Sequence, residues 1–168
     1  MSAPRTRPKV PAATACLDYA FRQRFRRPAA KALRWCLDFS PDDVALSGGH
    51  LSRKVTWTSP RTVVLDDRFR RPNGGSVRKV KLVQIYPETR SWVSTHLLGP
   101  NHHSQFRYRI VPDGARASVL IFEGRELRWQ GPTLDAAATR KMARQLRDED
   151  SGEWRGFAAA MESDPSLR

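Results

Sequence analysis

The chain has 168 residues, enough for one domain with its own core, and no apolar run approaches the roughly 20 residues of a membrane span. Thirty Lys and Arg against seventeen Asp and Glu give a formal charge of +13, which favours polyanions or anionic membrane surfaces as partners and says nothing of fold. The basic, proline-rich start from Met1 to Pro11 has no apolar stretch behind it, so it is not a secretory signal and the expectation is a soluble, cytoplasmic protein.

Residues 1–13 read as a disordered basic tail, 14–163 as one domain and 164–168 as a frayed end. From Ala15 to Phe25, Leu17, Tyr19, Phe21 and Phe25 alternate with Asp18, Arg22 and Arg24, the pattern of a strand with one dry face. Pro28 to Phe39 reads as a short helix opened by its proline, broken by Ser40-Pro41-Asp42-Asp43, with Ser47-Gly48-Gly49 turning into the next strand. Six strand-like runs follow between His50 and Arg125, separated by turn signals such as Pro72-Asn73-Gly74-Gly75 and Pro112-Asp113-Gly114. Seven strands at this spacing predict an antiparallel sheet, and Val119 to Phe122, apolar on both faces, reads as central. In the run after Gly75, Val80, Leu82 and Tyr86 are read as the dry face, opposite Lys79, Lys81 and Ile85. A helix is expected from about Leu134 to Met161, capped by Thr133, with the polar stretch Asp148 to Gly152 as a kink or interruption. The sheet would curl around this helix and leave a pocket between them.

Strand, short helix, glycine-bearing turn, six-strand meander and terminal helix resembles the layout of the START-like or SRPBCC superfamily, which includes lipid-transfer domains and aromatic polyketide cyclases. The local match is Arg27-Pro28-Ala29-Ala30 through Trp35-Cys36-Leu37-Asp38-Phe39, then Ser40-Pro41-Asp42-Asp43 and Gly48-Gly49 before the second strand. The resemblance covers Ala15 to about Met161. It implies an α+β helix-grip fold, a seven-stranded curved antiparallel sheet wrapped around a long C-terminal helix, with a hydrophobic guest in the cavity and no particular reaction.

The residues that alternation places among apolar side chains define the candidate lining: Tyr19, Phe21, Trp57, Asp67, Tyr86, His96, Tyr108, Met142 and Leu146. Asp67 shares a face with Val63, Leu65 and Phe69, where a carboxylate needs a partner; Arg53 on the preceding strand can supply it. His96, beside Trp92, Ser94 and Leu98, is a candidate general acid or base, although both faces of that strand are mixed. Tyr108 and Glu123 can reach inward to orient a ligand. His50 reads as a cap or surface residue, and His102-His103 as a solvated turn. Cys16 and Cys36 read as buried thiols, with one disulfide as the alternative.

No metal-ligand spacing, P-loop, dinucleotide fingerprint or nucleophile elbow occurs, and no cofactor is called for. The expected role is binding a lipid, quinone or polyketide-like molecule in the sheet–helix cavity. One alternative is a cyclase or dehydrase using His96 or Asp67 in the same cavity. Another is a basic module that docks on nucleic acid or an anionic membrane through the outer sheet face, where Arg22 and Arg24, Lys79 and Lys81, and Arg107 and Arg109 are read as cation pairs. Their aromatic neighbours fall on the opposite face, so base stacking beside the cations is not supported.

Overall fold

The computed structural model describes residues 12–71 and 73–167, apart from the side chain of Asp42. Most of the expected N-terminal tail, residues 1–11, lies outside the described residues. The strands are β1 (Ala15–Phe25), β2 (His50–Ser59), β3 (Thr62–Arg70), β4 (Ser76–Tyr86), β5 (Ser91–Leu98), β6 (Gln105–Pro112) and β7 (Ser118–Arg128). They form one antiparallel sheet in the order β1-β7-β6-β5-β4-β3-β2. β7 is therefore interior, as its two apolar faces require, and β1 and β2 are the edges. Helix α1 (Ala29–Cys36) opens at Pro28, a residue N-terminal to its first full turn. A 3-10 turn, Pro41–Leu46, stands where the chain leaves α1.

Helix α2 (Ala136–Ser163) runs unbroken for 28 residues and packs along β1. Its N-cap is Asp135, whose Oδ1 accepts the Ala138 backbone N–H at 2.7 Å, and not Thr133 as the sequence pattern predicted. The carboxylate also suits the positive end of the helix dipole. The expected interruption at Asp148 to Gly152 is absent. The described part of the C-terminus does not fray either: Pro165–Leu167 makes a 3-10 turn, Leu167 is buried in the core, and Lys31 Nζ donates to its carbonyl at 2.6 Å.

The dry core occupies one end of the grip. Phe25, Ala32, Val63, Ile85, Ile110 and Leu120 meet Ala158 and Met161 of α2 and Leu167 there. Truncating a fully buried side chain at such a site leaves a cavity that the neighbours fill only in part. Met161→Ala should therefore cost about 2–5 kcal/mol, read as a lower denaturant midpoint with an unchanged m-value.

β4 departs from the expected phase. Its register sets Lys79 against Asp67, Lys81 against Leu65 and Val83 against Val63 of β3, so Lys79, Lys81, Val83 and Ile85 face α2. Val80, Leu82 and Tyr86 face outward, and Tyr86 is 43% exposed. Val77, Val83 and Ile85 belong to this inner phase, and Val83 and Ile85 are buried in the core. The carboxylate of Asp67, on the inner face of β3, supplies a partner for Lys81, which comes inward with them.

Candidate functional site

Past the dry core, aromatic and polar side chains enclose a cavity of about 280 Å³ between the sheet and α2. Trp92 and Tyr108 stack with ring centroids 4.8 Å apart and planes within 5°, and Trp154 of α2 lies 5.7 Å from Tyr108. These rings separate the core from the cavity. Trp35 and Cys36 of α1 and Phe106 and Phe122 of β6 and β7 line it further.

From α2, Asp150, Glu153, Trp154 and Phe157 face the cavity. They are spaced i, i+3, i+4, i+7, one face of a helix. The polar stretch read as a helix break is thus part of the site, and this spacing was the signal that could have found it. Met142 and Leu146 are half-buried on the same helix but do not line the cavity. At about 1.5 Å per residue, Met142 lies about 12 Å up the axis from Asp150.

One wall is cationic. Asp67 is fully buried (0% exposed) and sits behind the cavity wall. Its Oδ1 accepts from Arg53 Nε at 2.9 Å and from His50 Nε2 at 3.2 Å, and its Oδ2 lies 2.8 Å from Lys81 Nζ. Arg53 was the predicted partner; His50 and Lys81 were not foreseen. His50 Nε2 also lies 3.1 Å from the Ser52 carbonyl. Both neighbours are acceptors, so Nε2 carries the proton, and the ring is buried against Phe69 rather than exposed. Burial opposes ionisation of Asp67, but the hydrogen bonds from His50 and Arg53 and the charge of Lys81 outweigh it and hold the carboxyl well below its usual range.

Tyr19, His96 and Tyr108 line the cavity. His96 Nδ1 donates to Asn101 Oδ1 at 2.9 Å, and Asn101 Nδ2 donates to Glu126 Oε2 at 3.2 Å. This chain leaves the lone pair on Nε2, which has no partner among the described residues. Burial, reinforced by the charge of Lys81, pushes His96 down to about 3. The ring is neutral at neutral pH, so the acid half of an acid–base role is not available to it there.

Tyr19 donates to Asp150 Oδ2 at 2.6 Å. Gly124 of β7 stands opposite Tyr19 in the register, and a β-carbon on it would fall 3.0 Å from the tyrosine ring. The absent side chain lets the ring reach α2. Asp150 is pushed up to about 6, chiefly by burial and then by Glu153 and Glu126, while the Tyr19 hydrogen bond works the other way.

The other candidates lie off the cavity. Phe21 stacks on Phe122 at 4.5 Å beside it. Trp57 is 48% exposed on edge strand β2, with Phe39 6.0 Å away. Tyr86 and Glu123 lie on exposed positions of the outer face. Cys16, on the outer face of β1, is exposed; Cys36 lines the cavity, and burial pushes its thiol up; both are free. On the outer sheet face, Lys79 and Lys81 are missing from the expected cation pairs. Arg24, Arg78 and Arg125 pair there with Asp113, Asp66 and Asp18.

This sheet, grip and cavity are the START-like, or SRPBCC, helix-grip fold. The chain is similar to the Zhui aromatase/cyclase from Streptomyces sp. R1128, at 13% identity and TM-score 0.71, over 88% of this chain and 94% of that one. It is similar to a START superfamily protein from Mycobacterium smegmatis at 15% identity and TM-score 0.65, over 86% and 98% of the two chains. Ara h 8.0201 aligns at 11% identity and TM-score 0.67, over 89% and 100%. No protein-family model and no curated protein matches the chain. Among the described residues, no helix is long and apolar enough to cross a membrane.

Two predictions concern these charges. Asp67→Asn leaves Lys81 and Arg53 without their buried counter-ion and should cost about 3–5 kcal/mol in denaturant unfolding. Asp150 has the opposite sign. Its folded value is above the ordinary carboxyl value, so its stability contribution is complete below about pH 4 and is lost as pH rises through about 6. Asp150→Asn should therefore gain up to about 3 kcal/mol near pH 8 and nothing near pH 4, read from unfolding midpoints across pH.

Proposed function

We propose that the protein binds a small amphipathic molecule, of lipid, quinone or polyketide type, in the cavity between sheet and α2. The observation that carries this reading is the division of the interior. A closed apolar core at one end already stabilises the fold, while the cavity at the other end keeps polar atoms without protein partners among the described residues. The lone pair of His96 Nε2 and the Tyr108 hydroxyl are two of them among the described residues. A site of this make-up, apolar walls with a few placed polar groups, is what small-molecule pockets share, and its volume falls just below their usual range of about 300–1,000 Å³. Similarity in fold to a START superfamily protein and an aromatase/cyclase supports the reading.

Native purification, solvent extraction and mass spectrometry test it. The expected result is a stoichiometric small molecule that Trp154→Arg, which places a charge in the cavity, prevents from co-purifying while the fold persists by circular dichroism. Nucleic acid that co-purifies until salt removes it, with no small molecule, would contradict the reading.

A second reading is turnover in the same cavity, and one observation favours it. Asp150, pushed up to about 6, is part protonated near neutral pH and can give or take a proton. It suits that role better than Asp67, which is locked in ion pairs behind the wall, or His96. Conversion of a thioester-bound poly-β-ketone into a cyclised product, lost in Asp150→Asn, is the expected result under this reading; an unchanged substrate contradicts it.

A further inference from the structure

Lys79 and Lys81 both project from β4 into the cavity, but their surroundings differ. Lys81 has Asp67 at 2.8 Å. Asp67 and Asp43 together answer Lys81 and Arg53, with Arg53 Nη1 3.2 Å from Asp43 Oδ2. Lys79 has no carboxylate within ion-pairing distance among the described residues. Its ammonium lies 5.0 Å over the ring of Phe69, which Lys81 approaches from 5.5 Å. The carboxylates across the cavity, Glu126, Glu153 and Asp150, act on Lys79 only at longer range. Glu126 takes Arg128 at 3.3 Å, Asp150 takes the Tyr19 hydroxyl at 2.6 Å, and Glu153 takes the Ser47 hydroxyl. On the wall formed by β2, β3 and β4, Lys79 is thus a cation with no carboxylate at contact distance among the described residues.

The stem of Lys79 is also held in place. Gly99, after β5, has φ +122, and a β-carbon there would meet Lys79 Cγ at 3.2 Å and the Arg78 carbonyl at 3.3 Å. Glycine therefore lets the turn lie close beside the lysine stem. Burial first, and the neighbouring ammonium of Lys81 second, lower the pKa of Lys79, and the more distant Glu126, Glu153 and Asp150 offset this only in part, so a bound anion would favour the charged form.

We propose that the ligand of this cavity carries an anionic head, a carboxylate on an apolar body, and that Lys79 is the cation it pairs with. The head sits at the β4 wall beside Phe69, and the body lies against Trp92, Tyr108 and Trp154. The inference rests on the cavity-binding reading above and adds the charge of the guest. A carboxylate placed there gives Lys79 a partner at contact distance, and its hydrogen bond from Lys79 forms where water is scarce.

Calorimetry with two probes of equal chain length, decanoate and decanol, separates the two readings. The protein should bind decanoate about tenfold or more tighter than decanol near pH 7, the order expected of one hydrogen bond to a charged group. Lys79→Met should abolish that preference and leave decanol binding intact. Lys79→Arg should restore most of it, and Lys54→Met, on the exposed outer face, should leave it unchanged. Equal binding of the two probes by the wild-type protein, or a preference that survives Lys79→Met, overturns the inference and leaves cavity binding standing. Binding of neither probe overturns both. Because the comparison of decanoate with decanol is made first on the unaltered chain, a variant that fails to fold does not rescue the proposal.

Discussion

One carboxylate, Asp67, holds together the polar part of this sheet's inner face. A buried carboxylate costs several kcal/mol unless it is paired and hydrogen-bonded, and Asp67 collects Arg53, His50 and Lys81. The consequence travels along the pairing. Because β3 and β4 are antiparallel neighbours in fixed register, a partner for Asp67 on β4 brings every second residue of that strand inward. Lys79 comes with Lys81, and Tyr86 and Leu82 are sent out. A strand has only two phases, so the phase that buries Val83 and Ile85 also brings both lysines to the cavity wall, where Asp67 pairs with Lys81.

That choice explains which parts of the fold were legible. β1, β3 and β6 alternate cleanly, and Leu17, Val63 and Ile110 are buried where their periodicity places them. The centre of β4 reads Lys79-Val80-Lys81-Leu82, and taken alone it sends Val80 and Leu82 inward. Val77, Val83 and Ile85 at its ends carry the other phase, which the structure adopts, and Asp67 on β3 supplies the charge that lets the lysines follow them. The site was legible to the same degree. Tyr19, His96 and Tyr108 stand on strands whose inner face is unambiguous in the structure, and they line the cavity. Trp57 shares the inner face of its strand, yet β2 is an edge and its ring stays exposed beside Phe39. On α2, propensity marks Asp148 to Gly152 as a weak point, while the packing of a long helix against β1 carries it through without a break.

The interior is divided between two jobs. Aliphatic and small side chains close one end, where α1, the last turns of α2 and Leu167 meet the sheet. Stacked rings of Trp92, Tyr108 and Trp154 form the boundary. Beyond them the walls carry opposite charge: lysines on β4, and Asp150 and Glu153 on α2. A protein that needed this volume only for stability would fill it, because each void of methyl size costs about 1 kcal/mol. Open space between a cationic and an acidic wall is instead suited to a guest with an apolar body and a polar end.

The five tryptophans make the most direct test of that account. Trp35, Trp92 and Trp154 line the cavity, whereas Trp57 and Trp129 do not. Their indole N–H signals can be followed by nuclear magnetic resonance while decanoate is added. Cavity binding predicts that the signals of Trp35, Trp92 and Trp154 shift and saturate together while those of Trp57 and Trp129 stay in place. Shifts confined to Trp57 and Trp129, or no shift at any of the five, would contradict it.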